Sequence, residues 1–210
     1  MDSHGAGFFR SLQVTVPPAG VAAGHSLIIS IFAGSKTVTF ACSDLKGNAY
    51  NQDVAAGGGG APRSAIVSAH IAVALVSGDT ITCTFPTSST RSGMSVNEFS
   101  GLSAVPLDKT ASARGTNTAV NSGLTLATAQ PSELVFGFVH SISFTPATSG
   151  SNPFEVYAGP PNSDPYHSAG QFDSIWPVYR IVSTIRQYQC NGKGGGTGGW
   201  RAAVATYKGQ

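Results

Sequence analysis

The sequence is poor in charge. Lys, Arg, Asp and Glu together make up 10% of its 210 residues, whereas about a quarter is typical of globular domains. The net charge is only +2, and the Arg and Lys residues are scattered singly rather than clustered. Because nucleic-acid binding requires clustered cations to neutralise phosphates, we predict no nucleic-acid partner. A surface dominated by Ser, Thr, Asn, Gln and Gly is more typical of ordered assembly or sugar contact than of electrostatic recognition.

Long apolar runs are also absent. No stretch reaches the length of about 18 consecutive apolar residues that a transmembrane helix requires, so we predict no membrane insertion. The first residues lack a basic region followed by an apolar segment, so they are not expected to form a signal peptide. Disorder is not expected either, because the chain is 41% hydrophobic and nearly neutral.

Catalytic motifs are missing from the sequence. The chain has seven Asp, three Glu and five dispersed His residues, with no zinc-ligand spacing and no Gly-x-Ser-x-Gly nucleophile elbow. Neither glycine run continues into Lys-Ser/Thr, as a phosphate-binding loop would. We therefore predict that the protein is not an enzyme and has no catalytic residues, no cofactor and no metal site.

Glu98 and an Asp/Asn-rich turn leave two alternatives open. Glu98 shares its strand phase with apolar residues, so it could point inward as a buried acid; the favoured interpretation turns Phe99 inward and Glu98 outward. Oxygen-bearing side chains between residues 44 and 53 could ligate Ca²⁺, but their spacing matches no EF-hand loop. Turn geometry is the favoured role of these residues, which are Asp44, Asn48, Asn51 and Asp53.

The three cysteines do not define a disulfide pattern by number alone. Cys42 and Cys83 fall in phase with the apolar faces of their predicted strands. They are either two small buried hydrophobic residues or an inter-strand disulfide. Cys190 lies in a predicted loop and could be a free or intermolecular thiol.

His70 and His140 fall within predicted strands and are interpreted as packed or surface residues.

What the sequence does contain is alternation of apolar and small polar residues, as at Leu12, Val14 and Val16. A period of two is typical of strands with one buried and one solvated face. We predict one domain over residues 1–210 that is all-β, an antiparallel, jelly-roll-like β-sandwich with half-buried sheets. The run 64–75 also fits a helical stripe, but a strand is favoured because its neighbours are strands. The predicted strands are Leu12–Val16, Ser26–Ala33, Thr37–Ser43, Ser64–Leu75, Asp79–Phe85, Gly93–Phe99, Leu107–Ala113, Leu124–Thr128, Glu133–Ile142, Phe154–Tyr157, Trp176–Val182, Thr184–Tyr188 and Ala202–Tyr207.

Residues 149–174 are predicted to form a long loop insertion that is polar and rich in Pro, Tyr and Asn. Its aromatic side chains could anchor a partner subunit or stack on a sugar, and alternatively they could cap the open end of the sandwich. The predicted interface or ligand-contact residues are Phe154, Tyr157, Tyr166 and Phe172.

Several stretches in a fixed order resemble a β-sandwich module of phage virion and bacterial surface proteins. They are VTVPPAGVAAGHSLII (Val14–Ile29), the Asp44–Asp53 turn, AVALVSGDTITCTF, NEFSGLSAVPLDKTASA (Asn97–Ala113), SELVFGFV (Ser132–Val139) and GGWRAAVATYK (Gly198–Lys208). The resemblance implies a jelly-roll-like fold with a structural, decorating or binding role.

We therefore predict a virion structural protein of the capsid-decorating or tail-fibre type, which forms homo-oligomers or contacts other virion subunits. The alternative is a secreted bacterial surface or filament subunit, or a carbohydrate-binding module that contacts surface polysaccharide. The predicted location is the virion in the first case and the extracellular space or cell surface in the second.

Overall fold

The computed structural model describes residues 1–34, 39–57, 63–142, 155–156, 166–168, 171–193 and 199–210. Every regular element within these residues is a β-strand, so the all-β prediction is confirmed. None of them belongs to a helix of the length and apolarity that a membrane crossing requires.

The strands are numbered in chain order. They are β1 (Asp2–Thr15), β2 (Ser26–Ala33), β3 (Ala41–Asp44), β4 (Tyr50–Ala56), β5 (Arg63–His70), β6 (Thr80–Phe99), β7 (Leu102–Gly115), β8 (Ala119–Asn121), β9 (Ser132–Ile142), β10 (Glu155–Val156), β11 (Tyr166–Ser168), β12 (Gln171–Ser183), β13 (Asn191–Lys193) and β14 (Trp200–Gly209).

Two six-stranded antiparallel sheets form the sandwich. The first has the order β1-β6-β2-β5-β4, with β3 paired to β6. The second has the order β10-β12-β9-β14-β7, with β11 paired to β12, and a small third sheet joins β8 to β13. The predicted antiparallel sandwich is confirmed. The N-terminal half of the chain supplies the first sheet and the C-terminal half supplies the second.

The first sheet curls around an apolar cluster of its own. Strand β6 has 20 residues: its first part pairs with β3 and the end of β1, and its second part pairs with β2. Ile81 and Cys83 from the first part lie in the same buried cluster as Met94 and Val96 from the second part. Both parts of β6 therefore enclose one core, and the sheet needs no partner sheet to bury this face.

Two further apolar clusters lie on the two faces of the second sheet. The cluster between the two sheets joins Ile28 and Ile66 to Phe136, Phe138 and Tyr207, together with neighbouring residues. On the opposite face of the second sheet, a third cluster of buried residues includes Val120, Val135, Tyr188, Cys190 and Val204. The fold is therefore a stack in which the central strands are packed on both faces.

This stack overturns the prediction of half-buried sheets for three strands. All eight residues of β2 are buried, as are the inner residues of β5 and the first eight residues of β14. The buried parts of β2 and β5 are continuous runs of apolar residues and small Ser or Ala, which is the pattern of a strand covered on both faces. Strand β14 departs from this pattern, because it also buries Arg201 and Thr206. The solvated Thr face that we predicted is present on the first part of β6, where Thr82 is half-exposed and Thr84 is exposed.

Strand boundaries differ from prediction at β5 and β6. The predicted strands 79–85 and 93–99 form one strand, because β1 pairs with β6 along nearly its whole length through two register irregularities. The ambiguous run 64–75 is a strand, as favoured, but β5 ends at His70. The chain then turns, and Ile71 and Leu75 form hydrogen bonds with the loop that precedes β2.

The predicted strands 124–128 and 184–188 are wrong, because neither segment is part of a sheet ladder. The two segments run beside each other instead: the Thr125 amide donates to the Tyr188 carbonyl at 2.8 Å, and the Thr128 amide donates to the Arg186 carbonyl at 3.2 Å. Ser122, Thr125 and Thr128 are the buried positions, so every third side chain points inward. A period of three does not match the period of two that a pleated ladder requires. We call residues 122–131 the strap.

Candidate functional site

Two of the four predicted contact residues, Tyr166 and Phe172, lie on strands of the second sheet. Phe154 and Tyr157 lie outside the described residues. Tyr166 lies on β11 opposite Asp173, and Phe172 lies on β12 opposite His167, so these two aromatic residues do not form a cross-strand pair. Within the predicted loop insertion over 149–174, the described residues are β10, β11 and the start of β12, which pair as strands; the insertion itself stays a prediction. That the four residues form one contact surface stays a prediction.

Exposed aliphatic side chains on the strap and on the segment that runs beside it form a candidate contact surface that the sequence did not indicate. They are Leu124 (56% exposed), Leu126 (71%) and Ile185 (54%). Ile181 is also exposed, but it lies opposite Leu134 on β9 and in phase with Tyr179, so it is on the face of the second sheet that the strap does not cover. Because we predicted both segments as half-buried strands, we expected their large apolar side chains to be covered.

A second set of exposed aliphatic side chains lies on two loops at the end of the first sheet. Leu45, Val73 and Val76 are more than half exposed. The side chain of Asn48 joins the two loops: its Oδ1 accepts the Ala72 and Val73 amides, both at 2.9 Å. The loops that carry these residues are therefore held in fixed positions relative to each other.

Asp44 organises the turn that the sequence offered as a calcium-site alternative. Its carboxylate accepts hydrogen bonds from the Lys46 amide at 2.8 Å, the Asn48 side chain at 3.0 Å and the Tyr50 hydroxyl at 2.9 Å. Burial raises the pKa of Asp44, but these hydrogen bonds outweigh burial and lower its pKa overall. The turn interpretation is confirmed for Asp44 and Asn48, and Asp53 contacts a different part of the molecule.

We expect Asn48→Ala to lower the free energy of unfolding by about 2 kcal/mol, because it leaves the Ala72 and Val73 amides without their acceptor. Urea denaturation followed by tryptophan fluorescence measures this loss. Adding millimolar CaCl₂ should leave the midpoint of both proteins unchanged. A calcium-dependent rise of the wild-type midpoint that Asp44→Asn abolishes would instead restore the calcium interpretation.

The structure resolves the two interpretations of Cys42 and Cys83. They form a disulfide between β3 and β6, with their Cα atoms 4.0 Å apart in directly opposed positions. Cys83 is fully buried as predicted, whereas Cys42 is only half-buried. Cys190 is a free thiol within the third apolar cluster, and burial raises its pKa to about 12. An intermolecular role for Cys190 is therefore wrong, because its sulfur is covered.

Two polar contacts lie between the sheets. The Tyr207 hydroxyl donates to the Asp53 carboxylate at 2.6 Å, linking β14 to the edge strand β4. His140 is fully buried; its ring stacks on Phe32 with centroids 4.3 Å apart, and its Nδ1 lies 2.6 Å from the Ser64 Oγ. His140 is thus a packed residue, one of the two roles predicted. Both contacts hold the sheets together; the His140–Ser64 contact is buried, and the Asp53–Tyr207 contact is partly buried.

Glu98 adopts the favoured outward orientation. Its carboxylate is exposed and lies 2.6 Å from His25 Nδ1, with each side chain 35% accessible. Phe99 turns toward the cluster between the sheets, where its ring packs edge-on against Phe136 and Tyr179. The buried-acid alternative for Glu98 is therefore wrong.

A pair of carboxyl groups, Asp108 and Glu133, was not visible in the sequence. The Asp108 side chain is 7% accessible and Glu133 is 1% exposed. Asp108 lies where the pairing of β7 with β14 is irregular, and Glu133 lies near the start of β9. Such an irregularity changes the direction in which side chains point. It lets Lys109 Nζ donate to Oδ1 of the neighbouring Asp108 at 2.7 Å.

Comparison of the chain with protein-family models, with curated proteins and with solved structures finds no match in any of the three. Within the part of the chain that the structure describes, no group of three or more His, Cys, Asp or Glu side chains is placed to hold a metal ion.

Proposed function

We propose that the protein is a non-enzymatic structural protein of a virus particle, of the capsid-decorating or tail-fibre type, that assembles with copies of itself or with other virion subunits. The observation that carries this proposal is the set of exposed aliphatic side chains on two tethered loop regions, which we call the strap surface (Leu124, Leu126, Ile185) and the turn surface (Leu45, Val73, Val76). Exposed apolar surface on a fixed scaffold is typical of contact with another protein.

The use of the acidic side chains supports a scaffold role. Asp44 organises a turn, Asp53 links the two sheets, and Asp108 holds the strap through the Ala129 amide at 2.7 Å. Each of these carboxyl groups is engaged by donors from the fold itself. These three carboxyl groups therefore serve to hold the fold.

The disulfide favours a protein that ends outside the reducing cytoplasm. Disulfides persist on virion surfaces and in extracellular or periplasmic space, and Cys42–Cys83 joins an outer strand to β6. The resemblance to phage and bacterial surface modules points in the same direction. The same disulfide also fits the second candidate function, a secreted bacterial surface or filament subunit or a carbohydrate-binding module that contacts surface polysaccharide.

Sedimentation velocity over a range of protein concentrations tests the proposed assembly. We expect the wild type to associate, with contacts that bury more than about 1,000 Å². Leu126→Ser/Ile185→Ser should weaken this association at an unchanged thermal midpoint, because both side chains are already exposed to water. Val105→Ser is the matched control, since Val105 is 77% exposed but belongs to neither surface.

The same measurement separates the strap surface from the predicted aromatic residues. If Tyr157→Ala/Tyr166→Ala weakens association and Leu126→Ser/Ile185→Ser does not, the contact lies in the 149–174 region. Two results together would contradict the proposal. The wild type would stay monomeric at high concentration, and cryo-EM images of its native assembly would show no contact of this size. Binding of the monomer to bacterial surface polysaccharide, measured by calorimetry, would support the second candidate instead.

A further inference from the structure

Glu133 is a buried carboxyl group that faces a second carboxyl group. Both of its oxygens are inaccessible to solvent and accept no well-aligned hydrogen bond from the described residues. The Thr206 hydroxyl and the Gln130 backbone lie close enough to lower its pKa, but burial and the neighbouring Asp108 act in the opposite direction. An ionised carboxylate in such surroundings is costly, because it has lost water without gaining strong donors.

Asp108 has the donors that Glu133 lacks. Its Oδ1 accepts from Lys109 Nζ and its Oδ2 accepts from the Ala129 amide, both at 2.7 Å. Asp108 is therefore built to be the ionised member of the pair. A protonated Glu133 would donate its hydroxyl proton to Asp108, whereas an ionised Glu133 would place a second negative charge against it.

We propose that Asp108 and Glu133 share one proton and form a pH-sensitive latch that fastens the strap to the second sheet. The latch joins three strands, because Asp108 lies on β7, Glu133 on β9 and the adjacent Thr206 on β14. It reaches the strap through the bond from the Ala129 amide to Asp108. Ionisation of Glu133 weakens the latch, so opening of the strap, which carries Leu124 and Leu126, is then opposed mainly by its backbone bonds to Arg186, Tyr188 and Cys190.

The directions of both pKa shifts agree with this assignment of the proton. Burial and Asp108 together raise the pKa of Glu133 above its ordinary value of 4.5. Burial also raises the pKa of Asp108, but hydrogen bonds from Lys109, Ala129 and Glu133 outweigh it and lower the pKa overall. The pair therefore carries one proton between the two pKa values.

Cationic groups surround the pair on the other elements. Lys208 lies opposite Glu133 on β14, and Arg180 lies two positions from Val182, the residue opposite Glu133 on β12. The charges of Arg180, Arg186 and Glu133 all act on the buried Tyr188 hydroxyl. Lys109 contacts the pair directly and stabilises one negative charge on Asp108, so one shared proton is favoured over two.

The sign of the pH dependence follows from the raised pKa of Glu133. A carboxyl group whose pKa is raised by folding adds stability that is present below its unfolded pKa and is lost as pH rises through its folded pKa. For Asp108, whose pKa is lowered, stability is lost as pH falls. The latch is therefore closed at mildly acidic pH and opens toward alkaline pH.

Hydrogen–deuterium exchange on the whole chain tests the latch. We compare protection factors of the strap amides Thr125, Thr128 and Ala129 at about pH 5 and about pH 8 in wild type and Glu133→Gln. In wild type, protection should fall with rising pH by about tenfold for each unit by which the pKa of Glu133 is raised. Glu133→Gln should keep protection nearly constant, because its uncharged amide donates to Asp108 at every pH. Glu98→Gln, a change at an exposed carboxylate, should behave as wild type.

Two outcomes overturn the proposal. One is wild-type protection that does not fall with pH beyond that of Glu133→Gln. The other is direct titration of the wild-type side chains by ¹³C NMR in which Glu133 ionises at or below its ordinary pKa. The second measurement needs no variant, so it decides the matter even if Glu133→Gln fails to fold.

Discussion

Replacing the disulfide by Cys42→Ala/Cys83→Ala should lower the free energy of unfolding by about 4 kcal/mol. The crosslink closes a loop between residues 41 apart in sequence, and removing it restores the conformational freedom of that loop in the unfolded chain. The outer layer formed by β3 and the first part of β6 would lose its covalent tie. Urea denaturation of the oxidised wild type and the variant measures the difference.

Reductant supplies the control for this prediction. Dithiothreitol should lower the stability of the wild type to that of the double variant and leave the double variant unchanged, because the remaining Cys190 is a buried free thiol. A difference below about 1 kcal/mol would mean that the chain does not carry this disulfide in its folded form. Mass spectrometry after alkylation of the unfolded, unreduced protein checks the pairing independently.

The sequence predicts the fold well where local pattern decides it. Strand β2 was predicted with its observed bounds, Ser26–Ala33, because an apolar run between turn residues is sufficient to define it. Burial on both faces was missed, since an apolar run does not say how many layers will cover it. The strap was mistaken for a strand because its Leu residues mimic a period of two, whereas its inward residues follow a period of three.

The polar sites depend on strand pairing, which sequence alone does not supply. Cys42 and Cys83 shared the right phase, but only the pairing of β3 with β6 puts them in opposed positions. Asp108 and Glu133 meet through the irregular pairing of β7 with β14, for which no sequence signal was apparent. The predicted aromatic contact residues could be placed on strands only in part, at Tyr166 and Phe172.

Tyr207→Phe should destabilise the protein by about 3 kcal/mol at neutral pH, because it removes the strongest donor to a carboxylate between the sheets. Burial raises the pKa of Asp53, and hydrogen bonds from Tyr207 and Ser68 partly offset the rise. Without the Tyr207 hydroxyl, the pKa of Asp53 rises further. A carboxyl group with a raised pKa loses its contribution to stability as pH increases, and the group with the higher pKa loses more. The difference in free energy of unfolding between wild type and variant should therefore widen with pH above the ordinary pKa of Asp.

Tyr50→Phe is the matched control, because the Tyr50 hydroxyl also donates to a carboxylate, that of Asp44, at 2.9 Å in a half-exposed turn. The pKa of Asp44 is lowered overall, so the loss in this control should already be complete near the ordinary pKa of Asp and should stay at about 1 kcal/mol or less. Adding Asp53→Asn to Tyr207→Phe should restore stability at alkaline pH, since it removes the buried charge that has lost its donor. If Tyr207→Phe and Tyr50→Phe show equal losses with the same pH dependence, the Asp53–Tyr207 bond does not hold the two sheets together.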